Sequence, residues 1–458
     1  MERRTLLLIG DFLVGMVALG TALIVWGASS TEWLGLSLAF LQERVTPWFY
    51  LLPFFWLVLL IEMYDVHRAL NWRLTLQGIA SSAGIGLILY LGIYFASDNP
   101  LPRVGIAVFL GVAFSLTMLW RLVFIQIFST QKLMRRVLLV GAGNSANIIL
   151  TAVNKLNPRP FKVVGLIDDD PEKLNTEVAG YKVISNCQKL LSLLDEEQIT
   201  DVLVAISGEL RGSTFQVLLD AQQSGVEIVR MPVVYEELFG RVPIQILETD
   251  WMLRSFVDQF RRNVFYRLAK RALDILGGLV GVMFFGFILP FVGIAIWFES
   301  GLPILYSQIR LGRGGEPYTI LKFRTMRQDA EIDGQPILAK EDDERATKVG
   351  RFLRKTHIDE IPQFINVLRG QMSLVGPRSE RPGLVGHYQQ YIPFYKARLL
   401  VKPGITGWAQ VNFGYANSIE DTRIKLEYDL YYIKHRNMML DILILLRTPG
   451  TMLGMRGQ

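Results

Sequence analysis

The sequence predicts a membrane-anchored chain in three parts: an α-helical N-terminal four-helix transmembrane unit, a parallel α/β middle domain, and a mixed α/β C-terminal region built on one further apolar helix. Three observations carry this reading. Hydrophobic residues make up 51% of the chain, more than a soluble protein needs, and the excess sits in a few long runs. Behind the first four runs, short β-branched stretches alternate with helical ones around a glycine turn. The last part is polar, basic and studded with glycine. A length of 458 residues suits about three such domains.

The four N-terminal runs cover 5–28, 47–63, 76–96 and 104–128, each near the length that crosses about 30 Å of hydrocarbon as a helix. Asp11 lies inside the first run and no small-residue cleavage site follows it, so this run reads as an anchor rather than a signal peptide. Basic residues mark the cytoplasmic side. Arg3 and Arg4 precede the first run, His67, Arg68 and Arg73 separate the second and third, and Lys132, Arg135 and Arg136 follow the fourth. Both ends of the unit, expected to span 1–130, therefore face the cytoplasm. Trp26, Trp33, Trp48 and Trp72 fall near span ends, as interfacial aromatics do.

The middle domain is expected over 135–235. Val137–Val140 reads as a buried strand running into Gly141-x-Gly143-x-x-Ala146 and then a helix. Such a Rossmann-like turn lets the backbone approach a phosphate at a helix N-terminus, which makes Gly141, Gly143 and Ala146 a candidate nucleotide turn. Further strands are expected at 161–167, 201–206 and 226–231. Asp168, Asp169 and Asp170 end the second strand, where a ribose-binding acid would lie. A lone turn of this kind does not establish cofactor use. Tyr266 and Lys270 have the Y-x-x-x-K spacing of short-chain dehydrogenases, but they lie outside this domain and read as no catalytic pair.

A connector at 236–263 leads to the apolar run 275–298, which is long enough to span. Spanning would carry everything after it away from cytoplasmic nucleotides and from the α/β domain. Pro290 interrupts the run, and Arg261, Arg262, Arg267, Lys270, Arg271 and Asp274 crowd its start. The run therefore reads as a re-entrant membrane helix that enters the inner leaflet, bends near Pro290 and returns to the same face.

Charge and rare residues narrow the chemistry. The net charge of +6 beside apolar runs suits anionic lipid and phosphate substrates, and no nucleic-acid motif accompanies it. Cys187 is the single cysteine, which excludes an internal disulfide and a thiolate cluster, and His67, His357, His387 and His435 are too scattered for zinc. Three segments of the C-terminal region stand out. Gly312, Gly314 and Gly315 lie between Arg310, Arg313 and a strand carrying Lys322 and Arg324, and could cradle a phosphate or form a hairpin turn. Residues 387–400 mix aromatics with Lys396 and Arg398, which suits an interfacial or a half-buried surface helix. Asp359 and Glu360 stand side by side, after Arg354 and before Pro362, in a basic stretch ending at Arg378. On its own the pair reads first as the acidic first turn of a helix before Pro362. Beside cations, one carboxylate can hold a divalent metal or attack phosphorus.

Together the motifs resemble a known family. KRALDI, LGRGGEPYTILKFRTM, GRFLRKTHIDEIPQFINVLRGQMSLVGPR, KPGITGWAQV and LEYDLYYIKHRNMMLDILILLRT occur in one order over 264–458. They are similar to the bacterial sugar transferases that are monotopic phosphoglycosyl transferases, and the spans and α/β domain in front resemble the long form of that family. The resemblance implies transfer of a hexose 1-phosphate from a UDP-sugar to undecaprenyl phosphate, with Mg2+, as the first membrane step of exopolysaccharide, capsule or O-antigen synthesis. It implies Asp359 as nucleophile, Glu360 beside it, both as metal ligands, and Lys322, Arg324, Arg354 and Arg378 as phosphate and uridine-diphosphate contacts. It further implies an inner-membrane location with the catalytic domain on the cytoplasmic face, contact with membrane lipid, and a homodimer or other homo-oligomer. Two positions depart from the family pattern. His357 stands where a small polar residue is common, and is read as facing solvent; Ser379 follows Arg378 where proline is common. Two other readings remain: a membrane-anchored nucleotide-sugar oxidoreductase using the glycine turn, and a nucleotide-sensing scaffold of a polysaccharide assembly complex.

Overall fold

The computed structural model describes residues 2–29, 37–64, 69, 72–96, 102–128, 134–157, 159–208, 210–246, 264–327, 345–414 and 418–452. Trp33, His67, Arg68, Lys132, Arg261 and Arg262 lie outside the described residues, as do the side chains of Arg3 and Arg4. Residues 1–231 and 232–458 form two compact units.

In the first unit, α1 (Glu2–Ser29), α3 (Trp72–Ala96) and α4 (Arg103–Phe128) are each long and apolar enough to cross a membrane. The second expected span is helical but broken. A 3-10 turn at Pro47–Leu51 leads into α2 (Leu52–Leu59), and another 3-10 turn follows at Ile61–Tyr64. Pro47 and Pro53 each sit at the start of a helical piece, where a missing N–H costs nothing, and they punctuate the run. Small residues let the helices approach: a Cβ on Gly10 would clash with the Trp120 ring, and one on Gly78 with Met63. At the centre, Arg121 donates from Nη2 to Asp11 Oδ2 at 2.5 Å and from Nη1 to Met63 O at 2.8 Å. Both charged side chains are fully buried. In hydrocarbon an ionised group persists only with such a partner, so the pair fixes the register of α1 against α4.

The α/β part of this unit is a six-stranded sheet of order β3-β4-β2-β1-β5-β6. Its strands are β1 (Arg136–Val140), β2 (Lys162–Ile167), β3 (Glu177–Val178), β4 (Tyr181–Ser185), β5 (Asp201–Val204) and β6 (Glu227–Arg230). All pairings are parallel except β3 with β4. Helices α5 (Asn144–Asn154), α6 (Leu190–Glu196) and α7 (Gly212–Gln223) make the crossovers. Residues 137–140 of β1 and 202–204 of β5 are buried and apolar without alternation, as strands covered on both faces must be.

The second unit begins with α8 (Met231–Phe239) from Pro232 onward, earlier than the connector expected at 236–263. Val242 and Ile244 are buried in the same apolar core as Trp408, Leu426, Leu430 and Ile433. Trp408 Nε1 donates to Gly240 O at 2.7 Å, Val242 N to Glu427 O at 3.1 Å, and Lys434 Nζ to both oxygens of Glu236. The connector's described part is therefore a strap across the core.

Helix α9 (Val264–Ser300) runs unbroken through Pro290, and the chain turns back after it at Gly301, whose φ is 75°. The helix is therefore not interrupted at Pro290, where a bend was expected. The hairpin of β7 (Leu305–Leu311) and β8 (Pro317–Phe323) follows. Then come α10 (Lys348–Lys355), a 3-10 segment at Ile358–Gln363, α11 (Phe364–Leu368), β9 (Ser373–Val375) and α12 (Pro382–Tyr391). β10 (Gly404–Thr406) pairs with β9 in parallel, and α13 (Trp408–Asn412), α14 (Ile419–His435) and α15 (Met438–Met452) complete the unit. Glycines on α9 receive the polar part: a Cβ at Gly277 would meet Leu374, at Gly278 Leu368, at Gly281 Phe364 and at Gly293 Ile304. The same polar region thus packs along α9 from one end to the other. The opposite face exposes Leu276, Val280, Met283, Phe287 and Phe291.

Candidate active site

Three pieces of backbone bring the chemistry-bearing side chains together. Lys322 comes from β8, paired with Tyr306 across the hairpin. Asp359 and Glu360 open the 3-10 segment, whose N-cap His357 adopts a left-handed conformation (φ 55°) and turns the chain sharply out of α10. Gly350 holds α10 against the backbone just past β8, since a Cβ there would come within 2.0 Å of Thr325 O. Arg378 follows β9 through Gly376, whose N–H donates to Thr406 O at 2.9 Å. A Cβ on Gly376 would come within 2.4 Å of Lys402 O, so only glycine lets the two loops cross there.

Asp359 and Glu360 are both buried, 7% exposed each, which is rare for carboxylates without partners. Glu360 has them. Its Oε1 accepts from Lys322 Nζ at 2.6 Å and from Arg378 Nη2, and its Oε2 accepts from Arg378 Nη1 at 3.2 Å. Burial would push its carboxyl up, but Arg378 and Lys322 outweigh burial and hold it well below the usual carboxylate range. Asp359 is treated differently. Its nearest cation is Lys322, at 3.8 Å, and burial pushes its carboxyl up despite that charge. Two adjacent carboxylates are thereby driven apart, one fixed as an anion and one held less firmly.

Arg378 is itself set by a buried scaffold. Arg398 donates from Nη2 to Arg378 O at 3.1 Å and to Asp429 Oδ2 at 2.8 Å, and from Nη1 to Glu380 Oε1 at 2.9 Å and Tyr395 OH at 2.7 Å. The segment 387–400, expected as one interfacial or surface helix, ends its helix at Tyr391 and buries Tyr395 and Arg398 in this scaffold. Only its amphipathic pattern was legible; that Arg398 would meet Asp429 depends on α14.

The other expected contacts are spread more widely. Arg354 donates from Nε to Thr325 Oγ1 at 3.0 Å, just beyond β8. Arg324 turns to the end of α9, where Nη2 donates to Ser300 O at 2.8 Å, Ser300 Oγ at 2.9 Å and Gly301 O. It closes the helix C-terminus in this structure rather than joining Lys322 and Arg378. The glycine loop forms a hairpin turn: Gly312 N donates to Glu316 O and Gly315 N to Gly312 O. His357 is half-buried at its turn. Ser379 is buried and accepts from Arg310 Nη1 through its carbonyl.

The start of α9 is pinned by buried acids. Lys270 Nζ donates to Val375 O, Tyr432 OH and Asp441 Oδ2, and Tyr266 OH donates to the same Asp441 oxygen at 2.9 Å. The Y-x-x-x-K spacing is thus a structural clamp. Asp274 Oδ1 accepts from Ser373 Oγ at 2.8 Å and Leu374 N at 2.9 Å. Pro290 makes no part of the site.

In the α/β domain, Gly141 (φ 102°) makes the expected tight turn, and Ala146 is buried on α5. The acids are used locally. Asp168 accepts from Ala142 N at 2.7 Å and pairs with Lys173 at 3.1 Å, Asp169 accepts from Cys187 N and Thr214 Oγ1, and Asp170 caps a 3-10 turn through Glu172 N. Burial works against Asp168, but the Ala142 and Asp170 amides and Lys173 hold its carboxyl below the usual range.

Comparison with known proteins places this architecture. Residues 265–455 match the family described as bacterial sugar transferase, and residues 60–232 match that described as CoA-binding domain. The chain is 42% identical over 189 residues to a UDP-glucose:undecaprenyl-phosphate glucose-1-phosphate transferase of Caulobacter vibrioides, covering 41% of this chain and 70% of that one. It is 37% identical over 190 residues to an uncharacterized sugar transferase, EpsL, of Bacillus subtilis, covering 42% and 90%. A UDP-N-acetylgalactosamine-undecaprenyl-phosphate N-acetylgalactosaminephosphotransferase of Aeromonas hydrophila is 38% identical over 245 residues, 54% of this chain and 56% of that one. The chain belongs to the bacterial sugar transferase family. It spans about half the length of the first relatives it matches.

The family implies a magnesium ion, and the residues present fit it in one way. Among the described residues no three His, Cys, Asp or Glu side chains converge on a metal position. Glu360 has both oxygens engaged by cations, which leaves Asp359 as the carboxylate placed to share a metal. Mg2+ accepts such sites, with one carboxylate, substrate phosphates and water around it.

Proposed function

We propose that the chain transfers a hexose 1-phosphate from a UDP-sugar to undecaprenyl phosphate, at the cytoplasmic face of the bacterial inner membrane, and so begins the assembly of a surface polysaccharide. The observation that carries this reading is the asymmetric pair: Glu360 locked by Lys322 and Arg378, and Asp359 buried beside it with Lys322 Nζ at 3.8 Å. The names of the relatives support the substrate class, and they differ in the sugar.

In this reading Glu360 holds Lys322 and Arg378 in place, and their charges receive the donor's diphosphate. Asp359 Oδ attacks the β-phosphorus. The bond from that phosphorus to the oxygen bridging the α-phosphate breaks, UMP departs with the electron pair, and hexose phosphate remains on Asp359. A phosphate oxygen of undecaprenyl phosphate then attacks the same phosphorus, and the bond to Asp359 breaks to restore the carboxylate. Mg2+ held by Asp359 would draw charge from the diphosphate and ease departure of UMP. Arg354, which bonds Thr325, would meet a second phosphate. The exposed face of α9 lies in the inner leaflet, which brings the lipid-borne acceptor to the depth of the pair.

The test is the intermediate. Wild-type protein given a UDP-sugar without acceptor should release UMP only up to the enzyme concentration and gain a hexose phosphate mass on the peptide carrying Asp359. Undecaprenyl phosphate should discharge it, and Asp359→Asn should form none. UMP appearing only with both substrates, with no adduct trapped, would replace this route by direct transfer.

A further inference from the structure

The half-buried ammonium of Lys402 has no carboxylate or hydrogen-bond partner among the described residues. What it faces is another cation. Arg271, on α9, donates from Nη1 to Val367 O at 2.9 Å and from Nη2 to Leu368 O at 2.8 Å, closing the end of α11. The chain then turns at Gly370 (φ 80°). A Cβ on Gly370 would stand 3.6 Å from Lys402 Nζ and 3.7 Å from Arg271 Nη2, so both charged ends border one small gap. Burial, then Arg271, depresses the Lys402 pKa below the ordinary lysine value, and Arg313 and Lys270 act in the same sense. Asp274 opposes them, but its Oδ1 is taken by Ser373 and Leu374, and Lys270 is bound to Asp441. Two like charges held together at a half-buried position cost free energy until an anion joins them.

The position of the gap says which anion. Arg267, one turn before Arg271 on α9, is exposed, as is Arg369 beside Gly370. The following turns of α9 expose Leu276, Leu279, Val280 and Met283. A basic collar passing into an apolar helix face is the profile of a membrane headgroup boundary.

We propose that Lys402, Arg271 and the turn at Gly370 form a binding site for the phosphate of an anionic phospholipid, separate from the acid pair. Lys402 and Arg271 take part in none of the contacts that hold Asp359 and Glu360. The two non-bridging oxygens of a phosphodiester can each accept from one cation, and the acyl chains continue along the exposed face of α9. The site rests on α9 lying in a membrane and does not depend on turnover.

The full chain in nanodiscs of phosphatidylcholine doped with phosphatidylglycerol provides the test, with retained lipid counted by native mass spectrometry. Wild type and K402R should retain a phosphatidylglycerol, and K402Q should lose it about tenfold at an unchanged melting temperature. Equal retention by K402Q overturns the proposal, as does loss in K402R with the melting temperature unchanged. Displacement by millimolar inorganic phosphate would mark a soluble-anion site, and displacement by stoichiometric undecaprenyl phosphate would assign the gap to the acceptor; either overturns the phospholipid site. Because binding is read without donor or acceptor turnover, failure here and failure of the transferase reading are distinguishable.

Discussion

A chain shortened to begin at Val264 should fail to hold the second unit, whereas one beginning at Pro232 should hold it. The reason is the strap at 240–246. Val242 and Ile244 are 0% and 3% exposed, and burying each is worth about 1.5–3 kcal/mol. The hydrogen bonds from Trp408 to Gly240 and from Val242 to Glu427 add about 1 kcal/mol each. Lys434 and His435 would also lose Glu236. The total, about 5 kcal/mol or more, is comparable with the whole stability of many domains. Thermal unfolding in detergent, followed by tryptophan fluorescence, would compare the two shortened chains. A full-length V242A/I244A variant separates the strap from the rest of the deleted segment, with an expected loss of about 3–5 kcal/mol. Melting temperatures of the Val264 and Pro232 chains within about 2 °C of each other would refute the reasoning.

Three further outcomes follow from single contacts. Arg121→Met leaves Asp11 charged and unpaired among apolar helices, so the N-terminal unit should lose about 3–5 kcal/mol in a denaturation titration, while Asp11→Leu/Arg121→Met should recover much of it. Burial pushes the Glu427 carboxyl up to about 7, against the pull of Arg241 and Arg423. The folded chain therefore binds more protons there than the unfolded one, and stability should fall as pH rises from about 4.5 through 7. Glu427→Gln should match wild type near pH 4 and exceed it at pH 8 by about 1–3 kcal/mol, read from melting curves at the two pH values. Gly350→Ala drives a Cβ to 2.0 Å from Thr325 O, and should cost about 1–3 kcal/mol and lower UMP release by moving α10 off the hairpin.

The α/β domain was legible because its signal is local. Uniformly apolar strands such as Val137–Val140, a glycine turn and alternating helical stretches all lie within a few residues of one another. Motif order implied Lys322 and Arg378 as phosphate contacts, but their pairing with Glu360 was not legible, since each residue comes from a different backbone piece and no spacing links them. What escaped is what depends on distant partners. The strap at 240–246 has no periodicity, and only the core built by α13 and α14 gives Val242 and Ile244 a place. Arg324 sits two residues beyond Lys322 on what reads as one basic strand, yet β8 ends between them and Arg324 serves the end of α9. Tyr266 and Lys270 looked idle because their shared partner, Asp441, lies far along the chain.

Asp168 gives the glycine turn a different character from an open cradle. Its carboxylate already sits on the Ala142 amide, where an incoming phosphate would look for its first donor. A tethered group in contact competes at an effective concentration far above that of any free metabolite. A phosphorylated ligand arriving at Gly141–Gly143 therefore faces a resident anion, and must break the pairing of Asp168 with Lys173 or bind around it. Occupancy of the turn would then be reported along β2, whose last residue, Ile167, immediately precedes that carboxylate.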